Sequence, residues 1–401
     1  MASCEELKQA ACQAIDKSKE ELHELSKAIW NKPELAWQEK YAHDYLADFL
    51  EKHGFEVERH YKGVETAFRA TIGEGKPHVS VISEYDALPE IGHACGHNLI
   101  AEVGVASGIG IKAAMEAAGA KIGKLTVLGT PAEEDGGGKV NLVKAGAFKD
   151  IDFCGMCHPF PVTATEVSKL FLGVHRVVVT YKGKASHAAG YPWEGVNALD
   201  AAVMAFNNIS CMRQQIKPNW RVHGVIKKGG TKSNIIPELT ELEYSVRTPS
   251  SGELETLKAK VTSCFKAAAL ATGCELSMEW YKVAYKNILP YPKLAEVFQK
   301  NGESIGVEFC KESLTNPFGS TDMGNVSHEV PSIHPVFYIG GTAPNHTRGF
   351  TADAGSDTAQ KYTLDQAKAL AMTGIDILTQ PELLSTIKKE FQEAKIADAK
   401  G

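Results

Sequence analysis

His78-Val-Ser-Val-Ile-Ser-Glu-Tyr-Asp86 is a short apolar run that ends in carboxylates, with Cys95 and His97 a few residues on. Three more runs share the habit. Lys124-Leu-Thr-Val-Leu-Gly129 leads to Glu133 and Glu134, Ile151-Asp-Phe-Cys-Gly-Met156 to His158, and Val336-Phe-Tyr-Ile-Gly340 to His346. The first three are followed by helical patterns, over Asn98 to Ala118, over Lys139 to Lys149 and in a shorter return, and the chain opens with amphipathic helices that run to about Gly54. Strands alternating with helices predict an α/β fold whose mixed, mostly parallel central sheet carries helices on both faces. Ligands of such sheets bind beyond the carboxyl ends of the strands, which is where these reactive side chains fall.

The middle of the chain follows another rhythm. The pattern predicts strand Phe171–Tyr181, helix Gly195–Gln215, strands Trp220–Lys228 and Leu239–Arg247, helix Ser251–Thr272 and strand Glu275–Ala284. Strand-helix-strand-strand-helix-strand is the ferredoxin-like βαββαβ order. Its position implies a discontinuous first domain, 1–169 with 286–401, and an inserted lid domain, 170–285.

Composition excludes several classes. The 401 residues are 43% hydrophobic and 23% charged, which rules out disorder, collagen and coiled coil. Net charge is −6, with 43 basic and 49 acidic residues well mixed and no basic run to follow a phosphate backbone, so no nucleic-acid partner is expected. No stretch reads as a membrane span, the opening lacks an apolar signal region, and the protein is expected to be cytoplasmic. Nine scattered cysteines read as free thiols.

The chemistry gathers in a few places. In Gly92-His-Ala-Cys-Gly-His-Asn98, Cys95 and His97 lie two apart, so an extended backbone points both the same way, as two ligands of one metal require. Thiolate with imidazole favours Zn²⁺, with manganese left open. In Pro131-Ala-Glu-Glu-Asp-Gly-Gly-Gly138 one carboxylate is free to coordinate while its neighbour faces substrate as general acid and base. The glycines are not a P-loop, because no Lys-Ser/Thr pair follows in that spacing. His158, His187 and His346 stand in loops at strand ends. Each feature alone has an ordinary reading: a buried Cys beside a turn histidine, a solvated acidic loop before a helix, surface histidines. Five candidate ligands at strand carboxyl ends read jointly as a metal site. The Cys154-Gly-Met-Cys157 pair also admits a redox dithiol, although no second such pair completes a zinc ribbon.

His93-Ala-Cys-Gly-His-Asn98, Pro131-Ala-Glu-Glu134, His158-Pro159, Ser186-His187 and His346 together resemble the co-catalytic di-metal metallopeptidase family of aminoacylases, carboxypeptidase G and hippuricase-like amidohydrolases. The resemblance spans most of the chain and is nearest the cysteine-containing branch. It implies two divalent ions per subunit, zinc or manganese, bridged by Cys95, with His97 and His158 on one ion and Glu134 and His346 on the other. It makes Glu133 the general base, Asp86 a partner that orients a ligand, and Asn234 and Arg247 the grip on a substrate carboxylate. His187 is implied as a donor to the developing oxyanion, supplied in some relatives by a second subunit, hence a homodimer through the lid. Two positions depart from the branch: Asn98 stands where many members have aspartate, and Met156 where many have a further histidine. Both departures fit a dipeptidase-like subgroup.

The function expected is therefore hydrolysis of the amide bond of small dipeptides with a basic C-terminal residue such as Lys, Orn or Arg. An amidohydrolase of N-acyl amino acids is the alternative; a non-catalytic metal-binding scaffold and a thiol oxidoreductase are more remote ones.

Overall fold

In the computed structural model, which describes residues 2–119, 121–168, 170–310 and 319–401, three helices open the chain: α1 (Cys4–Lys17), α2 (Lys19–Asn31) and α3 (Lys40–Lys52). Strands β1 (Glu56–Arg59), β2 (Phe68–Gly73) and β3 (His78–Glu84) follow, then α4 (His97–Ala117), β4 (Lys124–Thr130), α5 (Gly138–Lys144), β5 (Phe153–Gly155) and β6 (His158–Pro159). Next come β7 (Gly173–Lys182), α6 (Ala198–Met212), β8 (Arg221–Lys228), β9 (Leu239–Thr248), α7 (Ser251–Thr272) and β10 (Glu275–Trp280). The chain closes with α8 (Pro292–Ser304), α9 (Met323–Ser327), β11 (Ser332–Ile333), β12 (Val336–Phe337), α10 (Arg348–Ala354), α11 (Asp357–Thr379) and α12 (Pro381–Lys400).

Two units emerge. One comprises Met1–Lys169, Ile288–Thr315 and Asp322–Lys395, the other Leu170–Asn287, Asn316–Thr321 and Ile396–Gly401. The predicted boundaries differ at three places, 286–287, 316–321 and 396–401, which belong to the second unit. Long-range bonds explain the last two. Leu172 donates its backbone N–H to Gly319 O (3.0 Å), and Ser251 N–H reaches the Asp398 carboxylate (3.1 Å). Residue 169, the predicted end of the first segment, lies outside the described residues.

The first unit is built on a six-stranded sheet in the order β1-β2-β4-β3-β5-β11. β3 pairs in parallel with β4 and β5, and β5 with β11, while β1 and β2 form an antiparallel edge. Every residue of β3 is buried, as expected of a central parallel strand covered on both faces. Val79, Val81, Leu125 and Val127 join the core of α1, α4 and α11. Ile82, Leu128 and Cys154 join a second core with Leu142 of α5 and Met323 and Val326 of α9. The helix predicted over Lys139–Lys149 stops at Lys144 and continues as turns. The third and fourth predicted strands are shorter than their apolar runs.

By length and composition α4 is long and apolar enough to cross a membrane, contrary to the expectation from sequence, and 83% of its apolar window is buried inside the protein. It is the core helix of this unit. Gly104 allows its close seat on β3, since a Cβ there would meet Ile82 O at 2.4 Å. That seat holds the N-terminus of α4, and so His97, near the carboxyl end of β3. Parallel register aligns Glu84, the last residue of β3, with Thr130, the last of β4. The loops carrying Asp86 and Glu133 therefore leave the sheet side by side.

The second unit is an antiparallel sheet in the order β10-β7-β9-β8. This is the arrangement of a ferredoxin-like βαββαβ fold. Val177, Val179 and Tyr181 on β7 and Leu242, Tyr244 and Val246 on β9 alternate inward against Ala201 and Ala205 of α6 and Leu257, Val261 and Phe265 of α7. The intervening positions carry Arg176, Glu241, Glu243 and Arg247 on the opposite face.

Candidate metal centre

Cys95 and His97 meet for a reason other than the extended alternation read from sequence. Gly96 is left-handed (φ +76°), caps α4, and turns the chain so that His97 is the first helical residue. A Cβ at Gly96 would come within 2.6 Å of Pro159 Cγ, so glycine also admits the β6 segment that carries His158. His158 Nε2 lies 3.6 Å from Cys95 Sγ, and its Nδ1–H donates to Pro159 O (2.8 Å), which leaves Nε2 as the coordinating atom. Burial, with His334 and His97 nearby, holds this imidazole neutral, its pKa well below the ordinary value.

His97 is fully buried with a carboxylate at each nitrogen: Asp86 Oδ1 3.0 Å from Nδ1 and Glu84 Oε1 3.3 Å from Nε2. Asp86 also accepts the Glu134 backbone N–H on Oδ2 (3.0 Å). One buried aspartate thus orients a ring and anchors the adjacent Glu-Glu pair. Burial opposes ionisation of Asp86, but His97 and these donors hold its pKa below the usual carboxylate value.

Glu134 Oε1 faces His346 Nε2 (3.4 Å) and His97 Nε2 (4.0 Å). His346, half exposed, is left-handed (φ +62°) and tied by its N–H to Ala94 O (2.8 Å). Ala132, just before the Glu-Glu pair, is left-handed as well (φ +58°). For a residue with a Cβ this conformation costs roughly 1 kcal/mol or more. Such outliers gather where surrounding structure over-determines a functional geometry. Glu133 is buried, and its carboxyl is raised well above the usual value by burial, then by Glu84, Glu134 and Asp322.

Three groups of ligand atoms each lie within 4.8 Å: Cys95 with His97 and His158, Cys95 with Glu134 and His346, and His97 with Glu133 and Glu134. Cys95 is common to the first two. Glu84 Oε1, His97 Nε2 and Glu134 Oε1 are buried and make no hydrogen bond, only charge contacts of 3.3–4.0 Å, and carboxylates crowd the cluster. Orphaned buried acceptors in an anionic pocket are costly unless a cation satisfies them. Soft thiolate with imidazole and carboxylate is a donor set for zinc-like divalent ions. The residues fit a metal pair.

Sequence reasoning missed the charges behind this cluster. Lys139, fully buried, pairs with Glu84 Oε2 and with Asp322 Oδ1 (2.8 Å), and its backbone N–H reaches Asp322 Oδ2 (2.9 Å). A lysine directly after the glycine run was the available signal. Cys154 and Cys157 are both buried free thiols. Burial pushes Cys154 up to about 12 and Cys157 upward too, the opposite of a reactive dithiol.

The remaining predicted residues lie in the second unit. His187 and Asn234 sit on adjacent segments, with Ala188 N–H donating to Asn234 O (3.0 Å) and Ile236 N–H to Ser186 O (3.0 Å). Both are exposed. His187 Nδ1 accepts from the amides of Ala189 (3.2 Å) and Gly190 (3.0 Å), which fixes the tautomer with its proton on Nε2. Arg247 donates from Nη1 to Ser320 Oγ (2.8 Å) and from Nε to His223 Nε2 (3.3 Å).

Residues 172–272 match the family model of a peptidase dimerisation domain. Along nearly its whole length the chain is similar to the Xaa-Arg dipeptidase of Mus musculus, at 51% identity covering 98% of this chain and 93% of that protein. The chain belongs to the M20 metallopeptidase family. A second M20 relative, the Xaa-Arg dipeptidase of Homo sapiens, is 49% identical over 96% of this chain and 92% of its own. The M20 fold is also that of a dinuclear metal-binding peptidase from Bacillus subtilis, whose solved structure superposes with a TM-score of 0.71 at 20% identity, covering 90% of this chain and 99% of that one.

Proposed function

We propose that this protein is a metal-dependent dipeptidase that hydrolyses small dipeptides carrying a basic C-terminal residue. The observation that carries the reading is the cluster of Cys95, His97, Glu134, His158 and His346 beside Glu133, buried except at the half-exposed His346 and the partly buried Glu134, in a chain half identical to dipeptidases named for a C-terminal arginine. Cys95 would bridge two ions, with His97 and His158 on one and Glu134 and His346 on the other. Zinc suits the thiolate best, and manganese is the second choice. A divalent pair acidifies water and polarises a carbonyl oxygen.

The chain's own residues supply the rest. Glu133 takes a proton from the attacking water onto its carboxylate and returns it to the leaving amine; burial and neighbouring carboxylates raise its proton affinity toward that task. Asp86 keeps the His97 ring and the Glu134 backbone in place. From the second unit, His187 would donate its Nε2 proton to the developing oxyanion, and Asn234 and Arg247 would hold the substrate carboxylate, with the planar guanidinium giving a two-pronged grip.

The dimerisation-domain match supports a homodimer formed through the second unit. Val203, Met204 and Phe206 on α6 and Val225 on edge strand β8 are large apolar side chains left exposed. Nine free cysteines suit a reducing, cytoplasmic setting.

A panel of dipeptides ending in Arg, Lys, Orn or Leu, beside N-acetyl and N-benzoyl amino acids, tests the reading with metal-replete protein. Turnover confined to basic dipeptides is expected. Preference for N-acyl substrates would replace the dipeptidase with an amidohydrolase.

A further inference from the structure

Glu133 is flanked by two backbone amides, and each is held by a buried carboxylate. The Glu134 N–H goes to Asp86 (3.0 Å), and the Ala132 N–H goes to Glu39 Oε1 (2.8 Å). Glu39 stands 93 residues before Ala132, at the residue preceding α3, and is 0% exposed. Its second oxygen, Oε2, accepts from Thr66 Oγ1 (2.9 Å), and Thr66 O in turn accepts the Tyr85 hydroxyl (2.5 Å), from the residue between Glu84 and Asp86.

A capping role for α3 does not account for this carboxylate. The Tyr41 and Ala42 amides of that helix are taken by Glu34 (3.1 and 3.0 Å). Glu39 instead reaches the left-handed Ala132, whose strained backbone aims the next residue. The same turn is tightened from the other side, where Gly138 N–H donates to Ala132 O (3.1 Å).

We infer that Glu39 is a positioning residue for the reaction: together with Thr66 it pins Ala132 in the left-handed conformation that sets the direction of Glu133. Asp86 holds the opposite flank and also orients His97, whereas the Glu39 carboxylate bonds Thr66 and Ala132 and, among the described residues, no candidate metal ligand. Burial, then Asp86, raises the Glu39 carboxyl to about 7, and in either protonation state Oε1 remains an acceptor for the amide.

The inference rests on the hydrolytic reading above, so wild-type turnover on the dipeptide panel is measured first. Glu39→Ala, Glu39→Gln and Thr66→Val are then compared for kcat, KM, bound metal and, by crystallography, the backbone at Ala132. Displacing a reacting group by even about 1 Å costs up to ~100-fold in rate. Glu39→Ala is expected to lose at least about tenfold in kcat with KM within about twofold and full metal content, and its Ala132 leaves the left-handed region. Glu39→Gln, which keeps a carbonyl oxygen toward the amide, stays within about threefold of wild type. Thr66→Val, which keeps the shape but frees one oxygen of Glu39, falls between them and carries the test if Glu39→Ala does not fold. Wild-type kcat in both Glu39→Ala and Thr66→Val overturns the inference, as does an unmoved Ala132 backbone or a loss of metal that parallels the loss of rate. A wild type silent on every substrate is the separate failure of the hydrolytic reading, and the Ala132 backbone still decides the positional claim.

Discussion

Lys139 shows how much of the centre depends on one residue outside it. Its ammonium is the cation between Glu84 and Asp322, all three fully buried. Removing one partner of such a pair leaves uncompensated charge and costs about 3–5 kcal/mol, whereas neutralising all of them together is far milder. Lys139→Met should lower the thermal unfolding temperature by many degrees, and adding Glu84→Gln and Asp322→Asn should recover most of the loss. A Lys139→Met protein that melts with wild type contradicts this. Cys95, His97, Glu133, Glu134, His158 and His346 were each nameable from sequence because they follow apolar runs in motifs of fixed order. Lys139, Asp322 and Glu39 were not: Lys139 and Asp322 are 183 positions apart, and only the fold joins them. The turn at Gly96 was likewise invisible, so the pairing of Cys95 with His97 was anticipated on a backbone geometry that the chain does not adopt.

At the scale of elements, α4 carries both His97 and a buried acid. Glu102 sits in its apolar body, accepts from Gln360 Nε2 on Oε1 (2.5 Å), and is raised by burial from the ordinary 4.5 to about 8. The folded state therefore binds a proton that the unfolded chain releases between those values. Stability from this group is present below about pH 4.5 and is lost as pH rises toward 8, at up to about 1.4 kcal/mol per pH unit. Glu102→Gln should flatten that part of the profile and be more stable than wild type at pH 8; denaturation series from pH 5 to 8.5 measure it, and superimposable profiles would count against the buried acid. Elements were legible in proportion to their length and burial. β3 and β4 stood out as short apolar runs and α4 as a helical pattern, and α7 was read with the ends it has. β11, at two residues, holds too little pattern to reveal a period, and β12 keeps only the first two residues of its apolar run; α5 stops short of its predicted end because the chain turns at Ala145–Gly146.

On the scale of the whole molecule, the inserted second unit was legible from its change of rhythm, while the return of residues 316–321 and 396–401 to it was not, since that depends on contacts such as Ser251 to Asp398. Its exposed α6 face supports the proposed homodimer. Phe206→Asp should convert a dimer to a monomer in sedimentation velocity with the fold intact; a wild type already monomeric at micromolar concentration contradicts the proposal. The central claim is that this cluster hydrolyses a peptide bond through Glu133. Its most direct test is turnover of a dipeptide ending in arginine by wild type and Glu133→Gln, with bound metal quantified in the same samples. The account predicts equal metal in both proteins and at least about a thousandfold less turnover in Glu133→Gln. Undiminished turnover in that variant, with metal bound, would contradict it.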